Sequence, residues 1–120
     1  MTLRNPLAAP SAKIRRPRLS PARLARLVEE ATIDCYNESE EVTGLFTMLE
    51  DNLELPFDTS VLGVEVTVTG IDLTTEGTIL ALCKRERKRQ AIPILELPLP
   101  EPPPRGWEWI DAYRRWARRE

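Results

Sequence analysis

The stretch Val64-Glu65-Val66-Thr67-Val68-Thr69 decides the fold. Apolar and polar residues alternate strictly through it, which is the period of a strand with one buried face. Gly70 is expected to end this strand, and residues 71–77 to form a loop. A second strand follows from Thr78 to Lys84, whose continuous apolar run Ile79-Leu80-Ala81-Leu82-Cys83 predicts burial on both faces or a covering helix. Lys84-Arg85-Glu86-Arg87-Lys88-Arg89-Gln90 reads as a charged hairpin tip. Ala91-Ile92-Pro93-Ile94-Leu95 returns as a third strand, and Pro93, which has no N–H to donate, places it at a sheet edge.

Upstream of the strands the period is helical. Ser20 can cap a helix, Pro21 suits its first position, and Leu19 can staple onto Leu24. Leu24, Leu27, Val28, Ala31 and Cys35 then recur on one face, predicting a helix over 21–36. After a polar break, with Asn37 or Ser39 as cap, Val42, Leu45, Phe46, Leu49 and Leu53 form a second stripe. Pro56 disfavours helical backbone at Leu55, so this helix must stop near Glu54. The short link makes the two an antiparallel helical hairpin. Beyond the strands, five prolines between Leu97 and Pro104 predict an extended connector. Trp109, Ala112, Tyr113, Trp116 and Ala117 then share the face of a final helix. The expected order is a basic, disordered tail over 1–18 and one domain over 19–120, with the hairpin at 19–56, the sheet at 57–97, the connector at 98–105 and the last helix at 106–119. The fold class is α+β, a short curled antiparallel sheet packed by three helices.

Charge divides the chain more sharply than its net value of −2 indicates. Residues 1–26 hold seven bases and no acid, residues 27–83 thirteen acids and no base, and residues 84–120 ten bases and six acids. Each central carboxylate must therefore be solvated, be paired with an arginine from a flanking segment, or bind a cation. The sequence has no histidine, which removes the commonest general base and the commonest transition-metal ligand. A zinc site and a Ser-His or Cys-His catalytic unit are thereby disfavoured, and no nucleophile with a positioned base can be named, so an enzyme is not expected. Cys35 and Cys83 lack C-x-x-C spacing and read as buried thiols. No apolar run spans a bilayer and no secretory signal is present, so the protein reads as cytoplasmic with no membrane partner.

The chemistry concentrates around the second helix. Glu50, Asp51 and Glu54 occupy its last turn, where the helix dipole is negative and unpaired carbonyls point outward. Each such charge costs about 0.3–1 kcal/mol, and the Glu50/Glu54 pair adds roughly 0.2–0.5 kcal/mol of repulsion. These are hard oxygen donors of the kind Ca²⁺ coordinates, six to eight at a time. Asp58 beyond the helix, and Asp34, Glu38, Glu40 and Glu41 around the interhelical turn, can enlarge the group. On the residues alone, ordinary solvation or pairing with Arg23, Arg26 and the C-terminal arginines is the more common explanation of the same acids. No EF-hand loop is present.

The motifs Asp34-Cys35-Tyr36, Glu40, Gly44, Leu49-Glu50-Asp51, Leu53 and Leu55-Pro56-Phe57, with the alternating strand at 64–69 and the tryptophans at 109 and 116, resemble the small bacterial calcium-binding proteins of the CcbP type. The resemblance covers about Glu30 to Trp116. It implies a bacterial, cytoplasmic Ca²⁺ buffer or sensor without EF-hands, built on an SH3-like β-sheet or barrel with a Trp-rich C-terminal helix. Asp34, Glu40, Glu50 and Asp51 match its motif, and the candidate metal set is Asp34, Glu40, Glu50, Asp51, Glu54 and Asp58. The loop at 71–77 is less acidic than in that family, with only Asp72 and Glu76, and Cys35 stands where the family has alanine. The competing reading is an interaction module that engages nucleic acid or an acidic partner through the basic hairpin and tail.

Overall fold

Val66 and Val68 turn to one side of their strand and Glu65 and Thr67 to the other, as the alternation requires, with Val68 fully buried. The computed structural model describes residues 18–119. In chain order its elements are α1 (Pro21–Ala31), α2 (Glu38–Asn52), β1 (Phe57–Val61), β2 (Val64–Leu73), β3 (Ile79–Arg85), β4 (Lys88–Pro93), a 3₁₀ turn (Ile94–Glu96) and α3 (Glu108–Ala117). The strands form an antiparallel sheet in the order β1-β2-β3-β4. β1 and β4 are its two edges, so the sheet is open and not closed into a barrel. The expected basic tail lies, except for Arg18, outside the described residues.

Several local expectations change. β1 is a strand that the sequence pattern hid, because its central inward position, between Phe57 and Val61, is a threonine. Thr59 is buried, and its hydroxyl donates to the Pro98 carbonyl, which satisfies the polar group a core would otherwise penalise. Gly70 does not end β2. The register with β3 shifts between Val68 and Gly70, a bulge that absorbs one residue and lets the strand run on to Leu73. The loop expected at 71–77 therefore shrinks to a turn around 74–78. In β3 only Ile79, Ala81 and Cys83 are buried, while Leu82 stays exposed, so the apolar run is covered on one face and not on both. β4 begins at Lys88, which reduces the charged tip to Glu86-Arg87, and Ile94 and Leu95 leave the sheet for the 3₁₀ turn. Pro93 sits at the end of an edge strand, as expected.

The helices follow their caps. Ser20 Oγ accepts from the Arg23 N–H at 3.1 Å with Pro21 at the first position, and Asn37 Oδ1 accepts from the Glu40 N–H at 2.8 Å. α1 stops at Ala31, short of the predicted Tyr36: the Thr32 hydroxyl and N–H both donate to the Val28 carbonyl, and Asp34 turns the chain with φ of 63°. Gly44 lets α2 close on that terminus, since a Cβ there would lie 2.1 Å from the Ala31 carbonyl oxygen.

One apolar cluster joins both layers. Leu45 and Leu49 of α2, Val68 of β2, Ile79 of β3, Ile94 and Ile110 are its largest fully buried side chains, each worth about 1.5–3 kcal/mol on removal from water. α3 packs against both other helices. It also meets the sheet through a polar contact, with Tyr113 Oη accepting from the Ile79 N–H at 3.2 Å in a buried setting.

Candidate functional site

α2 carries carboxylates at both ends, and the fold treats the two ends differently. At its start, Glu40 Oε1 accepts from the Tyr36 N–H at 2.6 Å while the Glu40 N–H donates to Asn37, a reciprocal cap that occupies this acid with the backbone. Glu41 Oε1 accepts from Trp116 Nε1–H at 2.8 Å. Arg119 pairs with Glu38 and lays its guanidinium over the Trp116 ring, 3.8 Å from the centroid. Acids in a first turn already suit the helix dipole, so this end is doubly neutralised.

The far end receives less. Glu54 is held by Arg105, whose Nε lies 3.7 Å from Oε1. Glu50 and Asp51 are exposed, and neither side chain has an ion pair or hydrogen bond among the described residues. Asp51, Asn52, Glu54, Arg105, Glu108 and Trp109 line an open, mainly polar cleft of about 620 Å³. Gly106 also lines it, with φ of 88°, so close to the last turn of α2 that a Cβ would fall 2.2 Å from the Asn52 carbonyl oxygen.

The six candidate ligands therefore do not assemble into one site. Asp34 lies in the α1–α2 link, Glu40 serves its helix cap, and Asp58 sits in β1, where Oδ1 accepts from the Thr67 hydroxyl at 2.7 Å across the β1–β2 pair. Glu50, Asp51 and Glu54 stay together at the end of α2. Among the described residues, no group of three or more Asp, Glu, Cys or His side chains is gathered closely enough to hold a metal ion. A closed all-carboxylate cage does not fit.

Reading the sequence missed Glu108 and Arg105, which reach the cleft from a segment more than fifty residues away. The only local sign was the acid in the first turn of the last helix, and nothing in the spacing links it to Asp51. The thiols are free. Cys83 is buried as expected, but Cys35 is only half-buried, its Sγ–H donating to the Glu40 carbonyl at 3.4 Å. Its thiol is pushed above the usual range by partial desolvation first, then by the nearby carboxylates Glu40, Glu41 and Asp34, whereas burial alone raises Cys83.

Compared with known proteins, the chain matches no family model, no curated protein and no solved structure.

Proposed function

We propose that the protein binds Ca²⁺ as a buffer or sensor, at the C-terminal end of α2. The observation that carries this reading is the state of Glu50 and Asp51. Both side chains are exposed and unpaired among the described residues at the negative end of a helix, and Asp51 lines a cleft together with Glu54 and Glu108. Arginines from the C-terminal segment neutralise Glu38 and Glu54, but none covers these two.

Charge left without a partner among the described residues, where the helix dipole already disfavours it, is stabilised by a hard dication, and the carbonyls of the last turn supply further oxygen donors. Few carboxylates and an open setting favour the weak end of the calcium range, with Kd at or above about 10⁻⁵ M. The family resemblance supports the same reading, and with it come a bacterial, cytoplasmic setting and an SH3-like curl of the sheet packed by a helical hairpin.

Isothermal titration of the EDTA-treated chain with Ca²⁺ and, separately, Mg²⁺ tests the proposal. Saturable Ca²⁺ binding stronger than Mg²⁺ binding, lost in the Glu50→Gln/Asp51→Asn variant, is the expected result. Equal weak heats from both ions would sink it.

A further inference from the structure

The turn between β1 and β2 is built from Leu62 and Gly63, with φ of 52° and 79°. Positive φ at both central residues is the two-residue hairpin geometry that favours Asn-Gly, and a leucine in it is strained. The same leucine is 99% exposed, and Val64 beside it is 45% exposed. Neither backbone conformation nor packing accounts for an apolar side chain at this position.

In a four-stranded meander the first and third turns lie at one end of the sheet. That end is where the cations are. Arg85 Nη1 donates to the Glu65 carbonyl at 3.0 Å, tying the two turns together. Lys84, Arg85, Arg87, Lys88 and Arg89 are all exposed there, against the carboxylates of Asp58, Glu65 and Glu86.

We propose that this end of the sheet is a peripheral docking surface for anionic lipid bilayers, with the basic β3–β4 turn on the headgroups and Leu62 entering the acyl boundary. The combination of a projecting apolar tip and flanking cations matches the two requirements of interfacial binding, apolar burial and attraction to anionic lipid. A nucleic acid would meet the cations but has no use for Leu62. None of the described aromatic residues stands at this end to stack on a base. No helix of the described chain is long and apolar enough to cross a membrane, and adsorption to a surface requires none.

The test is co-sedimentation of the full chain, in EDTA so that it is independent of any calcium site, with vesicles of phosphatidylcholine alone or mixed with phosphatidylglycerol. Binding should need phosphatidylglycerol and weaken with salt. Each cation near an anionic surface adds roughly fivefold to binding, so Arg87→Gln/Lys88→Gln/Arg89→Gln should lose at least roughly tenfold. Leu62→Asn should bind severalfold more weakly yet unfold at higher temperature, because asparagine accepts the left-handed backbone; a damaged fold cannot give that pair of results. Vesicle binding by either variant equal to that of the unmodified chain would assign the contact to the basic N-terminal segment and overturn the proposal. So would the absence of binding to anionic vesicles, or a stronger attachment to a DNA or RNA oligomer that is indifferent to Leu62.

Discussion

Glu54 and Arg105 hold each other by their backbones as well as their charges: the Glu54 N–H donates to the Arg105 carbonyl at 2.8 Å, and the Arg105 N–H donates to Glu54 Oε1 at 3.2 Å. The segment leading into α3 is thus fastened to the end of α2, which is what creates the cleft beside Asp51. The fastening depends more on backbone approach than on the ion pair, since the Arg105 side chain is 87% exposed.

Gly106→Ala should accordingly cost about 2–4 kcal/mol, because its Cβ would strike Asn52 and Leu53 at a positive φ. Arg105→Gln should cost no more than about 1 kcal/mol, the range of an exposed ion pair. Gly63→Ala separates the two contributions: nothing lies within 4 Å of its Cβ, so only the conformational penalty of about 1–2 kcal/mol remains. Urea denaturation of the three variants measures the order, and a Gly106 variant as stable as the Gly63 one would refute the close approach.

Neutralising the proposed cation site should act in opposite directions on the two forms of the protein. Without calcium, Glu50→Gln/Asp51→Asn removes charges that oppose the helix dipole and should gain roughly 0.5–2 kcal/mol. With calcium it should forfeit the ligand-induced stabilisation, which for the unmodified chain is about 2.7 kcal/mol at a hundredfold excess over Kd. Thermal melts in EDTA and in Ca²⁺ read both effects at once. A calcium-induced rise that survives in the variant would place the ion elsewhere.

Tyr113→Phe should destabilise the fold by about 1–3 kcal/mol, since it leaves the buried Ile79 N–H without its hydroxyl acceptor while keeping the ring. The loss belongs to the junction of α3 with the sheet. Hydrogen exchange at Ile79 should quicken in the variant; unchanged protection there would show that the hydroxyl contributes little.

The two thiols should differ in their response to salt. Both are raised, so at pH 8 each carries less thiolate than an open cysteine and reacts more slowly with iodoacetamide. Part of the shift at Cys35 comes from Glu40, Glu41 and Asp34 across solvent, and added salt screens it. Its labelling should accelerate with ionic strength while Cys83, raised by burial, stays constant. Equal salt dependence at the two sites would contradict the assigned causes.

Local periodicity carried a large part of the architecture. Strict alternation at 64–69, the Ser20-Pro21 start and a cap at Asn37 or Ser39 are short-range signals, each set by what a residue does to its own backbone and nearest turn, and they read as β2, α1 and α2, with the structure choosing Asn37. β1 was illegible because its buried position is Thr59, whose acceptor is the Pro98 carbonyl 39 residues away. The bulge at Gly70 was illegible for a similar reason, since a glycine that ends a strand and one that kinks it look alike until the partner strand is placed.

Charge segregation, the absence of histidine and the hard-donor character of the central acids belong to the sequence alone, because composition and formal charge do not depend on the path of the chain. Which acids remain available was settled by folding. Glu40 went to a cap, Glu41 to Trp116, Glu38 to Arg119 and Glu54 to Arg105, while Glu50 and Asp51 received no partner among the described residues. The cap of Glu40 is local, three and four residues away, but the other three pairings join residues fifty or more positions apart, whose distances are fixed by packing and not by the order in which the residues are joined.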